Sequence, residues 1–410
     1  MKRILAVTVG GSPEPIVRSV IDRQPDRVIF FVTAEPKGGS RRQILEKIDD
    51  QESIISRTGL VEDQYDLITL DAPDDIVTCY KTMQSVMEQS SRRFPEGEYI
   101  ADYTGGTKTM SAALVLSAMQ LGWELSLVRG ERTNLTKALN GTEIAQLVHT
   151  GPLYLERGLV KASMLFDLFH YEAVETLLRA VLDDIPMSGT NADRVRRAIS
   201  LARAFGAWDR FEHERAFELL RIFHDRLRDY VEKLGALLGK GRMTHYEQVW
   251  DLTRNAERRA EQGRYDDAAL RLYRALELFA QIRLKQEYGL DTSDLDLDKL
   301  PASVHQMFSW QKTQKRKRIT AGLFDAYRIL AAFSDPVGVL YEKKWAGSIK
   351  NVLERRNRSI LAHGTQPVGK DVWKKANDIT TGFLTEAAAE IGVRSDWLQF
   401  PKWNEVKEAL

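Results

Sequence analysis

The stretch Asp102-Tyr103-Thr104-Gly105-Gly106-Thr107-Lys108-Thr109 decides the fold of the first part of this chain. A short apolar run at residues 99–103 enters the stretch and predicts a buried strand, and the pattern at residues 107–121 predicts a helix. A tight glycine turn between a strand and a helix is typical of the repeating unit of a parallel sheet with helices on its faces.

The same alternation of apolar runs and amphipathic stretches continues on both sides of this stretch, up to about residue 150. Further strands are predicted at residues 4–9, 28–33, 67–70 and 125–128. Further helices are predicted at residues 14–23, 41–57 and 75–91. Asn140-Gly141, between the apolar residues 137–139 and 144–148, predicts a hairpin. Residues 1–150 are therefore expected to form an α/β Rossmann-like domain.

The hydrophobic period changes near residue 158, where apolar residues begin to recur at the three- and four-residue spacing of helices. Residues 158–400 are expected to be almost entirely helical, with one long helix at residues 265–288. A break is marked by Gly235, Gly239 and Gly241. We therefore predict an all-α C-terminal region, with a helical linker domain at residues 151–245 and a helical bundle at residues 246–410.

The composition excludes several classes of protein. The 59 Lys and Arg residues nearly balance the 58 Asp and Glu residues, so a histone-like protein that binds nucleic acid by bulk charge is excluded. Cys79 is the single cysteine, so neither an intrachain disulfide nor a cysteine metal cluster is expected, and the reducing cytoplasm is the expected location. No apolar run is long enough to predict a membrane span.

A second glycine turn, together with the first, predicts a ligand-binding site. Gly10-Gly11-Ser12 follows the first predicted strand, which neighbours the fourth strand across the switch point in the usual strand order. Glycines let a ligand approach the backbone, and a helix start offers free N–H groups to a phosphate. The predicted ligand-binding residues are Gly10, Gly11, Ser12, Thr104, Gly105, Gly106, Thr107 and Lys108. The alternative is two structural turns with Thr107 as a helix cap. Neither turn has the spacing of a dinucleotide fingerprint or a P-loop.

The segment from Glu354 to Gly364 carries the second candidate site. On a regular helix Arg356 and His363, seven residues apart, lie about 20° from one another, whereas Arg358 and His363 are about 140° apart. Histidine transfers protons near neutral pH, and arginine stabilises charge on a phosphate, which suits RNA cleavage by the ribose 2′-hydroxyl without a metal. Asn357 could bind the phosphate or orient the histidine. The alternative is a structural role, with cations favouring a helix C-terminus.

Both candidate sites together resemble a known family. The two glycine turns are similar to those of the CARF domain, the sensor of cyclic oligoadenylates in type III CRISPR systems. Residues 356–363 resemble the Arg…His motif of HEPN ribonucleases, with six spacers from Arg356 or four from Arg358. The resemblance implies a cytoplasmic homodimer in which activator binding to the CARF domains switches on cleavage of single-stranded RNA at a composite HEPN site.

The resemblance also implies how the residues act and what else the chain could do. Arg356 or Arg358 would hold the phosphate, Asn357 would orient and His363 would transfer protons, leaving 2′,3′-cyclic phosphate and 5′-hydroxyl ends. Neither a metal nor another cofactor would be required, and the activator would be cyclic tetra-adenylate or hexa-adenylate. Slow cleavage of the activator would involve Ser12, Thr107 and Lys108. The alternative is a catalytically silent sensor that acts through a partner. The basic residues 312–318 would guide RNA or form a solvated surface.

Overall fold

The computed structural model describes residues 1–33, 39–48, 50–130, 144–148, 150–184, 189–241, 244–308, 311, 318–357 and 365–410. The chain divides into two compact units, Met1–Leu153 and Tyr154–Leu410. Among the described helices, none is both long and apolar enough to cross a membrane.

The first unit is built on a sheet of six described strands in the order β3-β2-β1-β4-β5-β6. The strands are β1 (Arg3–Thr8), β2 (Arg27–Thr33), β3 (Tyr65–Leu70), β4 (Glu98–Asp102), β5 (Glu124–Arg129) and β6 (Ile144–Val148). The pairs among β1 to β5 are parallel, and β6 is antiparallel to β5. The predicted Rossmann-like fold class is confirmed, and β1 lies beside β4 as the usual strand order predicts.

Alternating residues of the strands separate two hydrophobic cores, because successive side chains of a strand point to opposite faces of the sheet. Ile4 and Ala6 of β1 pack in one core with helices α4 (Ile76–Arg93) and α5 (Lys108–Leu121). Leu5 and Val7 pack in the other core with helices α1 (Glu14–Arg23), α2 (Ser40–Leu45) and α3 (Ile54–Thr58). Helices therefore cover both faces of the sheet, as predicted.

One detail of the predicted first unit is wrong. The single helix expected at residues 41–57 is two short helices, α2 and α3, separated by an isolated bridge between Ile48 and Gln51. The strand at Ile144–Val148 forms as predicted and pairs with β5, with Leu125 opposite Val148. The expected partner at residues 137–139 and the Asn140-Gly141 turn lie outside the described residues.

The second unit is helical, which confirms the predicted all-α C-terminal region. Its helices are α6 (Gly151–Asp167, which begins at the boundary), α7 (Tyr171–Asp184), α8 (Thr190–Asp209), α9 (His213–Leu220), α10 (Arg228–Leu237), α11 (Glu247–Glu261), α12 (Tyr265–Tyr288), α13 (Ala302–His305), α14 (Leu323–Ala332), α15 (Pro336–Leu340), α16 (Ala346–Asn357), α17 (Lys370–Glu390) and α18 (Trp403–Val406). Helix α12 has the predicted bounds. Of the predicted glycine break, Gly235 lies in the last turn of α10, and Gly239 and Gly241 lie between α10 and α11.

One hydrophobic core runs through most of the second unit. The ring of Phe400, near the C-terminus, lies 5.2 Å from the ring of Phe205 and 5.0 Å from that of Trp208, both on α8. The indole of Trp208 also donates a 3.0 Å hydrogen bond to Asp251 on α11. Helices on both sides of residue 245 therefore share a core, and the division into domains at residues 151–245 and 246–410 stays a prediction.

Candidate functional site

The two glycine turns of the first unit lie against each other at the carboxyl ends of β1 and β4. The register pairs Val7 of β1 with Asp102 of β4, which brings the residues after each strand together. A Cβ atom at Gly10 would lie 2.7 Å from the Gly106 nitrogen, and one at Gly105 would fall within 3.0 Å of the Thr8 carbonyl oxygen. Real Cβ atoms do not approach backbone this closely, so these turns require glycine.

The Thr104 hydroxyl has an internal role that the sequence did not indicate. Its oxygen donates a 2.6 Å hydrogen bond to Asp102 and accepts a 2.7 Å hydrogen bond from the Val128 backbone N–H on β5. Asp102 is fully buried, and its other carboxylate oxygen accepts a 2.8 Å hydrogen bond from Ser19 of α1. Because a hydroxyl has one hydrogen to donate, Thr104 can only accept from a ligand in this arrangement.

Thr107 is likewise engaged, as the cap of α5. Its hydroxyl accepts a 3.1 Å hydrogen bond from the Met110 backbone N–H and donates a 2.9 Å hydrogen bond to the Pro73 carbonyl oxygen. The capping alternative considered from the sequence is therefore the arrangement observed. The one hydroxyl hydrogen is used by the bond to Pro73. The side chains of Ser12 and Lys108 are exposed beside these turns.

The arrangement at the sheet edge suits an anion held by backbone and by a cation. The first N–H groups of α5 have no acceptor within the helix, and Gly106 precedes them with a φ of +85°. Lys108 adds a positive charge at the same helix start. Sequence reasoning missed Thr8 and Ser111, whose hydroxyls both donate to the Gly105 carbonyl oxygen, at 2.7 and 2.8 Å, and hold the turn. Their only sequence signal is their position beside the glycines.

The second candidate site begins on α16, whose last turn contains Arg356 and Asn357. The side chains of these two residues lie outside the described part of the chain, as do Arg358 and His363 entirely. The structure therefore places the backbone of Arg356 and Asn357 on one helix, and the choice between Arg356 and Arg358 as partner of His363 stays a prediction.

A π-helical turn, Tyr341–Trp345, directly precedes α16 and anchors its start. The Trp345 indole donates a 3.0 Å hydrogen bond to Glu386 of α17, and the Lys344 ammonium donates a 2.6 Å bond to the same carboxylate. These two donors hold the pKa of Glu386 below its ordinary value, the lysine more strongly. Single π turns inside helices are frequent at functional sites, and this one links the start of α16 to α17 through Glu386.

Two further features concern the second unit and the chain as a whole, namely the basic run at residues 312–318 and the possible metal ligands. In the basic run, residues 312–317 lie outside the described residues, and Arg318 is an exposed side chain 3.9 Å from Asp294. Within the described ranges, no group of three or more His, Cys, Asp or Glu side chains is arranged to hold a metal ion.

Comparison with known proteins gives one family match and one similar structure. Residues 240–386 match the family model of the Csm6 HEPN domain. The structure of Enterococcus italicus Csm6 bound to cyclic hexa-2′-fluoro-hexa-dAMP is similar over 100% of both chains, with a TM-score of 0.62 and 13% identical residues. At this identity the similarity establishes the fold. No curated protein matches the chain. The family match and the fold confirm the resemblance to CARF–HEPN ribonucleases of CRISPR systems.

Proposed function

We propose that this chain, with its Csm6-type HEPN segment at residues 240–386, is an endoribonuclease activated by cyclic oligoadenylate in type III CRISPR antiviral defence. The observation that carries the proposal is the family match, because the matched residues contain Arg356, Asn357 and His363. The glycine turns at the sheet edge support the activator part, since their backbone and Lys108 offer the groups that an anionic nucleotide needs.

The chemistry proposed for the HEPN segment needs no metal. The 2′-hydroxyl of single-stranded RNA attacks the neighbouring phosphorus, the 5′-oxygen leaves, and the products carry 2′,3′-cyclic phosphate and 5′-hydroxyl ends. His363 transfers the protons, Arg356 or Arg358 stabilises the charge on the phosphate, and Asn357 orients the reacting groups. In this proposal two copies of the chain form a homodimer, and both His363 residues contribute to one cleft.

Activation is proposed to begin at the CARF domain, residues 1–150. The ligand-binding set is Gly10, Gly11, Ser12, Thr104, Gly105, Gly106, Thr107 and Lys108, in which the hydroxyls of Thr104 and Thr107 serve as acceptors and the backbone and Lys108 as donors. Binding shifts the population of dimers toward the arrangement that cleaves RNA. Slow cleavage of the activator at Ser12, Thr107 and Lys108 is part of the proposal, as is a cytoplasmic location.

The first experiment is a fluorogenic RNA cleavage assay on the purified protein in EDTA, with no activator, with cyclic tetra-adenylate or with cyclic hexa-adenylate. We expect one ring to raise the rate and His363→Ala to abolish it while activator binding is retained. The matched control is His224→Ala, which changes an exposed histidine outside the candidate sites and is expected to cleave as the wild type does.

Three outcomes distinguish the alternatives. Undiminished cleavage in His363→Ala would overturn the HEPN assignment. Binding of either ring without cleavage would favour the catalytically silent sensor and direct the search to a partner. Cleavage that requires a divalent ion would contradict the 2′-hydroxyl mechanism without a metal.

A further inference from the structure

An arginine-lined cleft of about 610 Å³ lies inside the second unit, apart from both candidate sites. It is open to solvent and is lined by the turn from α6 to α7, by the last turns of α8 and α11, and by Arg271 of α12. The polar residues that line it include Arg210, Arg259, Gln262, Arg264 and Arg271. A cleft of this volume accommodates a ligand of nucleotide size.

The cleft lining has more arginines than carboxylates. Its four arginines face two carboxylates, Glu172 and Asp209. Glu172 pairs with Arg210 at 3.0 Å, Glu212, outside the lining, pairs with the same arginine at 2.8 Å, and Asp209 pairs with Arg259. Asp267, outside the lining, pairs with both Arg264 and Arg271. A guanidinium has five N–H donors, so one shared carboxylate leaves donors on each arginine for a further anion.

Two buried polar groups of the lining have no partner in the described part of the chain. They are the hydroxyl of Tyr171, which is 4% exposed, and the Nε of Arg259, which is 8% exposed. A buried polar group without a hydrogen bond costs about 1–3 kcal/mol, so such groups call for a ligand. Burial, with the nearby charges of Arg271 and Arg264, lowers the pKa of Arg259 to about 10, and an anion would relieve that repulsion.

The backbone around the cleft points to the same kind of ligand. Tyr171, Glu172 and Ala173 form the first turn of α7, where N–H groups lack helical acceptors and attract anions. Phe169 and Phe211, which also line the cleft, have positive φ angles of 59° and 64°. Both residues close a helix C-terminus, because the N–H of the next residue bonds back to Leu165 of α6 or to Ala207 of α8.

We propose that this cleft binds a phosphate-bearing ligand of nucleotide size, with the phosphate held by Arg259, Arg264 and Arg271 and the Tyr171 hydroxyl as a further donor. The free nucleotide and a phosphate of an RNA chain share this chemistry. The proposal does not depend on the function proposed above, because none of these residues belongs to either candidate site.

The test measures binding to the full-length protein by isothermal titration calorimetry. The probes are AMP and a 2′-O-methyl RNA hexamer, which cannot be cleaved through its 2′-oxygens. The variants are Arg264→Gln, whose side chain is 57% exposed, and Tyr171→Phe. The matched control is Arg228→Gln, an exposed, ion-paired arginine on α10. We expect Arg264→Gln to weaken binding about tenfold, as for loss of a charge-assisted hydrogen bond, and the control to leave it unchanged.

The outcomes distinguish three cases: a site for a free nucleotide, a site for an RNA chain, and no phosphate site in the cleft. Weakened AMP binding in Arg264→Gln and Tyr171→Phe identifies a free-nucleotide site, whereas weakened hexamer binding alone identifies a site for an RNA chain. Equal affinities of Arg264→Gln, Tyr171→Phe and Arg228→Gln for both probes would overturn the proposal. Binding at the two candidate sites does not confuse the comparison, because none of these variants changes a residue of the glycine turns or of the Arg356-Asn357…His363 motif.

Discussion

Thr8 donates a 2.7 Å hydrogen bond from its hydroxyl to the carbonyl oxygen of Gly105, 97 residues away in the sequence. This bond joins the end of β1 to the turn after β4. Ser111 of α5 donates a 2.8 Å hydrogen bond to the same oxygen. The end of β1, the turn after β4 and helix α5 are therefore linked at the predicted ligand site through one atom, the carbonyl oxygen of Gly105.

Gly105→Ala is expected to disrupt this junction. The new Cβ would fall within 3.0 Å of the Thr8 carbonyl oxygen, and overpacking of this kind costs about 1–3 kcal/mol. The control is Gly11→Ala, because a Cβ at Gly11 would meet nothing within 4 Å. Chemical denaturation should show a lower free energy of unfolding for Gly105→Ala alone. Equal stability of the two variants would contradict the close packing of the turns.

Lys108→Ala and Thr107→Ala are expected to differ in the way they weaken activation. Lys108 is exposed, so its loss should raise the activator concentration for half-maximal cleavage without changing the melting temperature. Thr107 caps α5, so its loss should also lower the stability by about 1 kcal/mol. Activation curves and thermal melts measured side by side separate the two effects. Unchanged activation in both variants would count against the placement of the ligand.

Tyr171→Phe and Tyr327→Phe are expected to change the stability of the ligand-free protein differently. Both tyrosines are buried, but the hydroxyl of Tyr327 donates a 2.8 Å hydrogen bond to the Leu276 carbonyl oxygen, whereas that of Tyr171 has no partner among the described residues. Removing the bonded hydroxyl should cost about 0.5–1.5 kcal/mol, and removing the unbonded one should leave the stability unchanged or raise it. Urea denaturation measures both, and a larger loss in Tyr171→Phe would contradict this account.

Glu386→Gln is expected to remove a pH-dependent stabilisation of the turn before α16. The folded pKa of Glu386 lies below its ordinary value of 4.5, chiefly because of Lys344 and then Trp345. Its contribution is therefore present above pH 4.5 and is lost as the pH falls through the lower folded pKa. The melting temperature of the variant should be lower than that of the wild type at neutral pH, and this difference should shrink as the pH is lowered below 4.5.

The control for that experiment is Glu390→Gln, which changes an exposed glutamate on the same helix. Its melting temperature is expected to follow the wild type at both pH values. A difference between Glu386→Gln and the wild type that persists unchanged at the lower pH would show that the carboxylate charge is not the cause.

The fold was largely predictable because its signals are local. The bounds of α1 and α12 follow from hydrophobic spacing, and Thr107 caps α5 where the sequence places a cap. The helix expected at residues 41–57 was wrong because its apolar spacing continues across a break. There the Ser53 side chain accepts a hydrogen bond from the Ser56 N–H and starts a new helix.

Buried charge was not predictable. Arg258 is fully buried, and its Nε lies 2.7 Å from Asp209, which is 49 residues away in the sequence. Charged residues on a helix ordinarily face solvent, so nothing around Arg258 distinguishes it from its exposed neighbours. The arginine-lined cleft was missed for the same reason, since its residues come from helices that are distant in sequence.

By itself the sequence determined the order of strands and helices, the two glycine turns and the Arg356-Asn357…His363 motif, because each depends on neighbouring residues. Only the tertiary structure decided how the threonine hydroxyls are used. The Thr104 hydroxyl accepts from the Val128 N–H of β5 and gives its hydrogen to the buried Asp102, and the Thr107 hydroxyl gives its hydrogen to the carbonyl oxygen of Pro73, 34 residues before it. A hydroxyl has a single hydrogen, so the partner that folding brings to it determines whether it can donate to a ligand.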